Sequence, residues 1–245
     1  MPDQYALILG SGFNDLVTGA TAANIATEYG VPSSPVYTKK FHSYSVGLLA
    51  RHGIDHSIPP HAINYRANVA ALKANGCNAI IALNTVGVVT RVREGGQLAI
   101  PDQIIDYTWG REHTFATGGD AGVSHIEFTE PFSQGLRMRL VEAADAAGVD
   151  CYDGGVYAAT QGPRLETAAE VDRLERDGAD FVGMTAMPEC ALAAELDMQY
   201  AAIALIVNRA AGRGDKPIHD DVDANSARAR AQAMQIIDRF FKQPS

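Results

Sequence analysis

The sequence predicts an α/β protein, a sheet sandwiched between helices, on three observations. Short apolar runs bounded by turn residues recur along the chain, helix-length segments ending at glycine lie between several of them, and the longest runs show no polar alternation. Two of those runs, "AIIAL" at 79–83 and "AAIALIV" at 201–207, have the continuous apolarity of strands covered on both faces. Taken in order, the runs are Ala6–Leu9, Val46–Ala50, Ala79–Leu83, Gln97–Ile100, Val156–Thr160, Phe181–Val182 and Tyr200–Val207. Helical segments span Asn64–Asn75, Gln134–Ala147 and Glu166–Asp177, and Gly76, Gly148 and Gly178 follow them where a left-handed cap residue belongs. The closing stretch 221–241, "DVDANSARARAQAMQIIDRFF", reads as an amphipathic helix capped by one of its early Asp or Asn residues. No linker, repeat or low-complexity segment interrupts the chain, so one domain over 1–245 is expected.

Composition narrows the class. With 245 residues, 47% apolar and 20% charged, the chain is long enough for a well-buried core. A formal net charge of −9 argues against a nucleic-acid partner, because that binding needs a basic surface to release counterions. No apolar run reaches membrane-spanning length and no signal-like segment opens the sequence, so no membrane partner and a cytoplasmic location are expected. Cys77, Cys151 and Cys190 are odd in number, far apart and set among apolar or small residues, which favours buried thiols over disulfides or a zinc site.

The first run delivers Gly10-Ser11-Gly12 into a turn. A dinucleotide fingerprint would need a third glycine where Asp15 stands, so this turn suits a single phosphate-like anion better than a pyrophosphate. A plain tight turn fits this stretch equally well. Ligands of open α/β sheets sit beyond the carboxyl ends of the strands, which selects the residues after each run. They are Ser11, Arg51-His52-Gly53, Asn84-Thr85, Gly162-Pro163-Arg164-Leu165-Glu166, Met184-Thr185 and Asn208. The set contains no glycosidase carboxylate pair, no nucleophile elbow and no metal cluster. It does contain hydroxyls and an arginine suited to an anion, beside groups able to read a heterocycle.

The stretch 156–208, "VYAATQGPRLETAAEVDRLERDGADFVGMTAMPECALAAELDMQYAAIALIVN", resembles the signature region of the purine nucleoside phosphorylase and methylthioadenosine phosphorylase family. "LARHG" at 49–53, "NYRANVAALKANG" at 64–76 and "SHIEFTEPF" at 124–132 resemble the methylthioadenosine branch, so the likeness covers nearly the whole chain. The resemblance implies a single domain with a central twisted mixed sheet flanked by helices. It also implies a reaction: phosphate attacks the anomeric carbon of a purine nucleoside, giving free base and ribose 1-phosphate or its 5-methylthio analogue. Phosphate is the co-substrate; no metal or organic cofactor is implied.

Residue by residue, the resemblance assigns phosphate to Ser11, Arg51, His52, Thr85 and Thr185, with the arginine fork giving parallel charge-assisted bonds. Arg51 taken alone would be a surface ion pair, and His52 would merely bond its loop. Met184 would form the polarizable floor beneath the sugar, or else be an ordinary core methionine. Glu189 either bonds a sugar hydroxyl or occupies the first turn of a helix. The base falls to Leu165, Glu166 and Asn208. An aspartate stands at the Asn208 position in the adenine-specific branch, and a second acid stands where this chain has Ala210; Asn208 resembles the 6-oxopurine readers. Glu166 would accept the N1–H that hypoxanthine or guanine carries and adenine lacks. The bland readings are a helical first-turn carboxylate for Glu166 and a turn amide for Asn208. Asn208, Arg51 and Glu166 are the implied catalytic set.

His125 matches a histidine that a neighbouring subunit contributes to the 5′ pocket, which implies a homotrimer, with a hexamer open; alone it is a loop histidine. Residues 209–223, "RAAGRGDKPIHDDVD", would form a mobile lid over the 5′ group, with Gly212, Gly214, Pro217 and His219 in it. Three places depart from the family pattern: "NTVGVV" at 84–89 replaces a usually more glycine-rich loop and puts Val88 where glycine is expected, which could alter the phosphate or ribose contacts, Leu165 replaces an aromatic ring, and His219 aligns with no 5′ contact. The expectation is a 6-oxopurine nucleoside with a 5′-methylthio group as substrate. A general inosine and guanosine phosphorylase, an adenine-specific enzyme and a non-catalytic nucleoside binder stand behind it in that order.

Overall fold

The computed structural model describes residues 4–90, 97–118, 125–215 and 218–243. In chain order its strands are β1 (Tyr5–Leu9), β2 (Thr21–Ala23), β3 (Val36–Phe41), β4 (Tyr44–Ala50), β5 (Ala79–Val88), β6 (Leu98–Ile100), β7 (Gln103–Asp106), β8 (Cys151–Asp153), β9 (Val156–Ala159), β10 (Phe181–Gly183) and β11 (Gln199–Arg209). The helices are α1 (Tyr65–Ala74), α2 (Gln134–Ala147), α3 (Ala168–Arg176), α4 (Ala186–Glu195) and α5 (Ile218–Lys242). Among the described residues no helix is long and apolar enough to cross a membrane.

All strands join one mixed sheet. β1 runs parallel to both β4 and β5, β11 runs parallel along the length of β5, and β10 meets the end of β5 antiparallel. Because side chains alternate along a strand, the two faces of the sheet feed two cores. Ile8, Ile80 and Ala202 face one way, toward Val69 and Leu72 of α1 and Leu192 of α4. Leu7, Ile81 and Ile203 face the other, toward Leu140 of α2 and Ile236, Phe240 and Phe241 of α5. The double coverage explains why β5 and β11 read as unbroken apolar runs.

The site originates where β5 changes partner. β1 accompanies β5 only as far as Ala82, and β10 joins it only at Gly87. Residues 83–86 therefore have one open edge. Gly10 leaves β1 at this gap so close to it that a Cβ there would lie 2.2 Å from the Leu83 carbonyl oxygen, a place no side chain fits. Beside it, β11 slips register between Ile206 and Asn208, and the bulge brings Val207 and Asn208 to the same opening.

Several expectations need correction. "NTVGVV" is not a loop: β5 continues through Val88, which is fully buried, pairs with Phe181 and stays out of the cavity wall. α3 begins at Ala168 with a capping box between Thr167 and Glu170, so Glu166 lies in the preceding loop and is no helical residue. α5 already runs from Ile218, so 221–225 lie within the helix and not at its start, and Asn225 donates to the Val207 carbonyl at 3.1 Å. The expected lid is thus partly helix; Pro217 lies outside the described residues. All three cysteines are free; Cys77 and Cys190 are buried and Cys151 is half-buried. Burial pushes each thiol up, Cys151 to about 12.

Candidate active site

The open edge of β5 forms the back of a cavity of about 680 Å³. Nine of the ten residues singled out from the sequence line it: Ser11, Arg51, His52, Thr85, Leu165, Glu166, Met184, Thr185 and Asn208. The tenth, His125, is exposed and is not part of this wall.

One end of the cavity is built from the turn after β1 and the turn after β4. The Arg51 amide continues the ladder onto the Leu9 carbonyl at 3.1 Å, and Asn14 Nδ2 donates to the carbonyls of Gly53 and Ile54, lacing the two turns together. From α5, Arg230 Nε donates to the Gly12 carbonyl at 2.7 Å while its Nη2 binds the Asp15 carboxylate. Gly12 has φ of 84°, the left-handed geometry that keeps this turn tight.

Arg51 is no surface ion pair. It is 1% exposed, and the fully buried Glu189 accepts from its Nε at 2.6 Å and its Nη2 at 2.9 Å, while its Nη1 donates to the Leu83 carbonyl at 2.8 Å. Burial by itself would lower the Arg51 pKa, but the Glu189 carboxylate outweighs it and holds the guanidinium firmly charged. Of five N–H groups three are used, which leaves one on each terminal nitrogen. Glu189 also accepts from the Tyr200 hydroxyl at 2.9 Å, so it is committed to the arginine and does not reach the cavity wall where a sugar hydroxyl would lie.

His52 Nδ1 lies 2.8 Å from the Ile58 carbonyl, which can only accept, so that nitrogen carries the proton. Burial, reinforced by the adjacent Arg51 charge, pulls His52 down to about 4, and the ring is neutral at neutral pH. With Arg51 balanced by Glu189 and His52 neutral, this end of the cavity offers oriented N–H and O–H donors more than excess charge. Unfolded His52 titrates near 6.5, so above that pH neither state is charged and the group costs nothing. As pH falls from 6.5 toward 4 only the unfolded chain takes the proton, and stability is lost across that window. Urea unfolding at pH 7 and pH 4.5 should show the wild type losing about 2–3 kcal/mol more than His52→Asn; equal losses would refute the neutral assignment.

Thr185 precedes α4, and its Oγ1 accepts from the buried Asn84 Nδ2 at 2.8 Å, which leaves the hydroxyl hydrogen to be donated elsewhere. His56 was missed in the sequence. Its ring lies 4.7 Å from that of His52, its Nε2 is 3.4 Å from Ser11 Oγ, and it lines the cavity. A histidine three residues beyond a strand-end loop carries no signal until its backbone, at φ of 57°, turns it inward.

At the other end Glu166 Oε1 accepts from Thr160 Oγ1 at 2.7 Å, and Asn208 Nδ2 donates one hydrogen to the Arg209 carbonyl at 2.8 Å, keeping the second. Gly87 sits between, where a Cβ would come within 3.0 Å of Asn208 Nδ2. Met184 lines the same wall, as do Ile218, His219 and Val222 of α5. Among the described residues no group of three or more metal-type side chains gathers.

The same cavity thus collects hydroxyl and guanidinium donors able to hold an oxyanion, a methionine, and an amide with a carboxylate able to read a heterocycle. Residues 4–242 match the family model described as Phosphorylase superfamily. The chain is 49% identical to a probable S-methyl-5′-thioinosine phosphorylase of Pseudomonas syringae pv. tomato over 85% of this chain and 86% of that one. It is 39% identical to a probable 6-oxopurine nucleoside phosphorylase of Moorella thermoacetica over 96% and 92% of the two chains. Among solved structures, methylthioadenosine phosphorylase from Schistosoma mansoni in complex with tubercidin superposes with a TM-score of 0.89 at 30% identity, covering 98% of this chain and 91% of that one. The chain belongs to the Phosphorylase superfamily, and it is a pentosyltransferase of the nucleoside phosphorylase kind.

Proposed function

We propose that the chain acts as one catalytic domain that phosphorolyses S-methyl-5′-thioinosine to hypoxanthine and 5-methylthioribose 1-phosphate, without a metal or organic cofactor. The observation that carries this reading is the placement of Asn208 and Glu166 in the same cavity as Ser11, Arg51, His52, Thr85 and Thr185. Phosphate sits among the hydroxyls and the two free N–H groups of Arg51, and its oxygen forms the new bond to C1′. The C1′–N9 bond breaks, its electron pair moves into the purine, the positive charge on the sugar is brief, and the departing base takes up, through solvent, the proton that hydrogen phosphate loses on becoming the ester. Asn208 stabilises the leaving group by donating its remaining hydrogen to N7, and Glu166 accepts the N1–H that only a 6-oxopurine presents. Met184 supports the sugar face, and Leu165 covers the base with less contact than an aromatic ring would give.

The apolar Ile218 and Val222 in the wall favour a methylthio group at the 5′ end. His219 in the same wall favours a second reading, a general inosine and guanosine phosphorylase, since an imidazole can bond a 5′-hydroxyl. The exposed His125 fits presentation to the cavity of a neighbouring subunit, so a homotrimer acting in the cytoplasm completes the reading. Phosphate-dependent base release from 5′-methylthioinosine, inosine and 5′-methylthioadenosine, run side by side, tests it. Preference for methylthioinosine is expected; preference for inosine transfers the weight to His219, and preference for methylthioadenosine, or release without phosphate, overturns the base assignment. A non-catalytic binder would also gain no thermal stability from phosphate, whereas saturation at 100 times Kd should add about 2.7 kcal/mol.

A further inference from the structure

Arg111, in the segment after β7, stands outside the cavity wall and is 8% exposed. Its Nη1 donates to the carbonyls of Met184 at 2.8 Å and Met187 at 2.7 Å and to the Tyr65 hydroxyl at 3.1 Å. Its Nη2 donates to the carbonyls of Gln161 at 2.9 Å and Thr160 at 3.3 Å, and its Nε to the Gln161 side-chain oxygen at 3.2 Å. The guanidinium carbon lies 5.2 Å from the centre of the Tyr65 ring. Every one of these acceptors is neutral. A guanidinium taken out of water without a carboxylate among its described partners is costly to keep, and here each nitrogen is spent on a chosen backbone or side-chain oxygen.

Those oxygens belong to the segments that carry the cavity residues. Thr160 holds Glu166 through its hydroxyl, Met184 is the sugar-side residue next to Thr185, and Met187 interrupts the first turn of α4 with φ of −103° and ψ of 135°, freeing the carbonyl that Arg111 takes. Tyr65 passes its own hydrogen to the Pro60 carbonyl at 2.8 Å, and Pro60 lines the cavity beyond Arg51 and His52. We propose that Arg111 is a positioning residue: by tying these three segments to one rigid fork it fixes the spacing between the base side of the cavity and its sugar and phosphate side. The proposal rests on the phosphorolysis reading. Its force comes from geometry, since a displacement of about 1 Å between nucleophile and reacting carbon can cost roughly 100-fold in rate.

Arg111→Lys keeps the charge but concentrates the donors on one nitrogen, too compact to span the same oxygens. In that variant kcat should fall about 100-fold, while the dissociation constants of phosphate and of hypoxanthine, each measured alone by calorimetry, change less than about fivefold, because either half of the site survives by itself. Turnover per folded molecule within fivefold of wild type, or both dissociation constants weakening in step with kcat, would overturn the proposal. Should Arg111→Lys not fold, Tyr65→Phe carries the same test: kcat down about tenfold with both constants kept, against kcat within twofold as the overturning result. Wild-type protein that releases no base under phosphate overturns the phosphorolysis reading and the proposal together; an active wild type beside unimpaired variants overturns the proposal alone.

Discussion

Arg51→Ala is expected to cost the fold about 3–5 kcal/mol as well as its phosphate, because it strands a fully buried carboxylate. Glu189 would keep only the Tyr200 hydroxyl at 2.9 Å as a described partner. For a chain of this length that loss corresponds to a melting temperature lower by roughly 10 °C. The stability effect and the ligand effect have separable causes. Adding Glu189→Gln to Arg51→Ala removes the stranded charge, so most of the lost melting temperature should return. Phosphate affinity should not return, since the guanidinium proposed to hold it is still missing. Thermal unfolding and phosphate titration of the two variants check this, and a double variant that recovers phosphate binding would show that Arg51 serves only to neutralise Glu189.

The Arg51–Glu189 pair also marks the limit of what could be read without coordinates. Arg51 is conspicuous because it ends a strand, while Glu189 lies 138 residues away and carries no local sign of its partner. Its place in the first turn of α4 is one of the two readings open to it, but the turn is irregular: the helix breaks at Met187, ahead of Pro188, and then continues. The central strands were legible because both of their faces are covered. β3, with Lys39 and Lys40 in its middle, pairs along its length with β4 but has only the short margin strand β2 on its other side and gives no such run. The end of β5 was hidden for a different reason. Asn84, Thr85 and Gly87 look like a loop, but Thr85 and Gly87 line the cavity, the buried Asn84 donates to Thr185 of the same wall, and Val86 and Val88 still pack in the core. Where a strand lines a site, its residue types follow the ligand and not the sheet. Glu166 shows the same effect one residue at a time: helical periodicity begins at 166, and only the Thr167 cap places the carboxylate outside the helix.

Asn208→Asp is the substitution that should change the substrate. The amide gives one hydrogen to the Arg209 carbonyl and has a second for the purine N7. A carboxylate at that position is an acceptor unless it takes up a proton, so it cannot stabilise the departing 6-oxopurine as the amide does, and it repels the negative charge that collects on the ring. Loss of one hydrogen bond made in the transition state is worth about 10²–10³ in rate, and kcat/KM for methylthioinosine should fall by about that factor. Adenine nucleosides bring an exocyclic amine that a carboxylate can accept, so their kcat/KM should rise, though not to the level the wild type shows with its own substrate. On the proposed reading the ceiling comes from Glu166, an acceptor at N1, where adenine has no hydrogen to offer it. The double variant Asn208→Asp with Glu166→Gln supplies that missing donor and should favour adenine further than either change alone. If the base preference of Asn208→Asp matches the wild type, discrimination lies elsewhere in the cavity, and Glu166 becomes the residue to vary next.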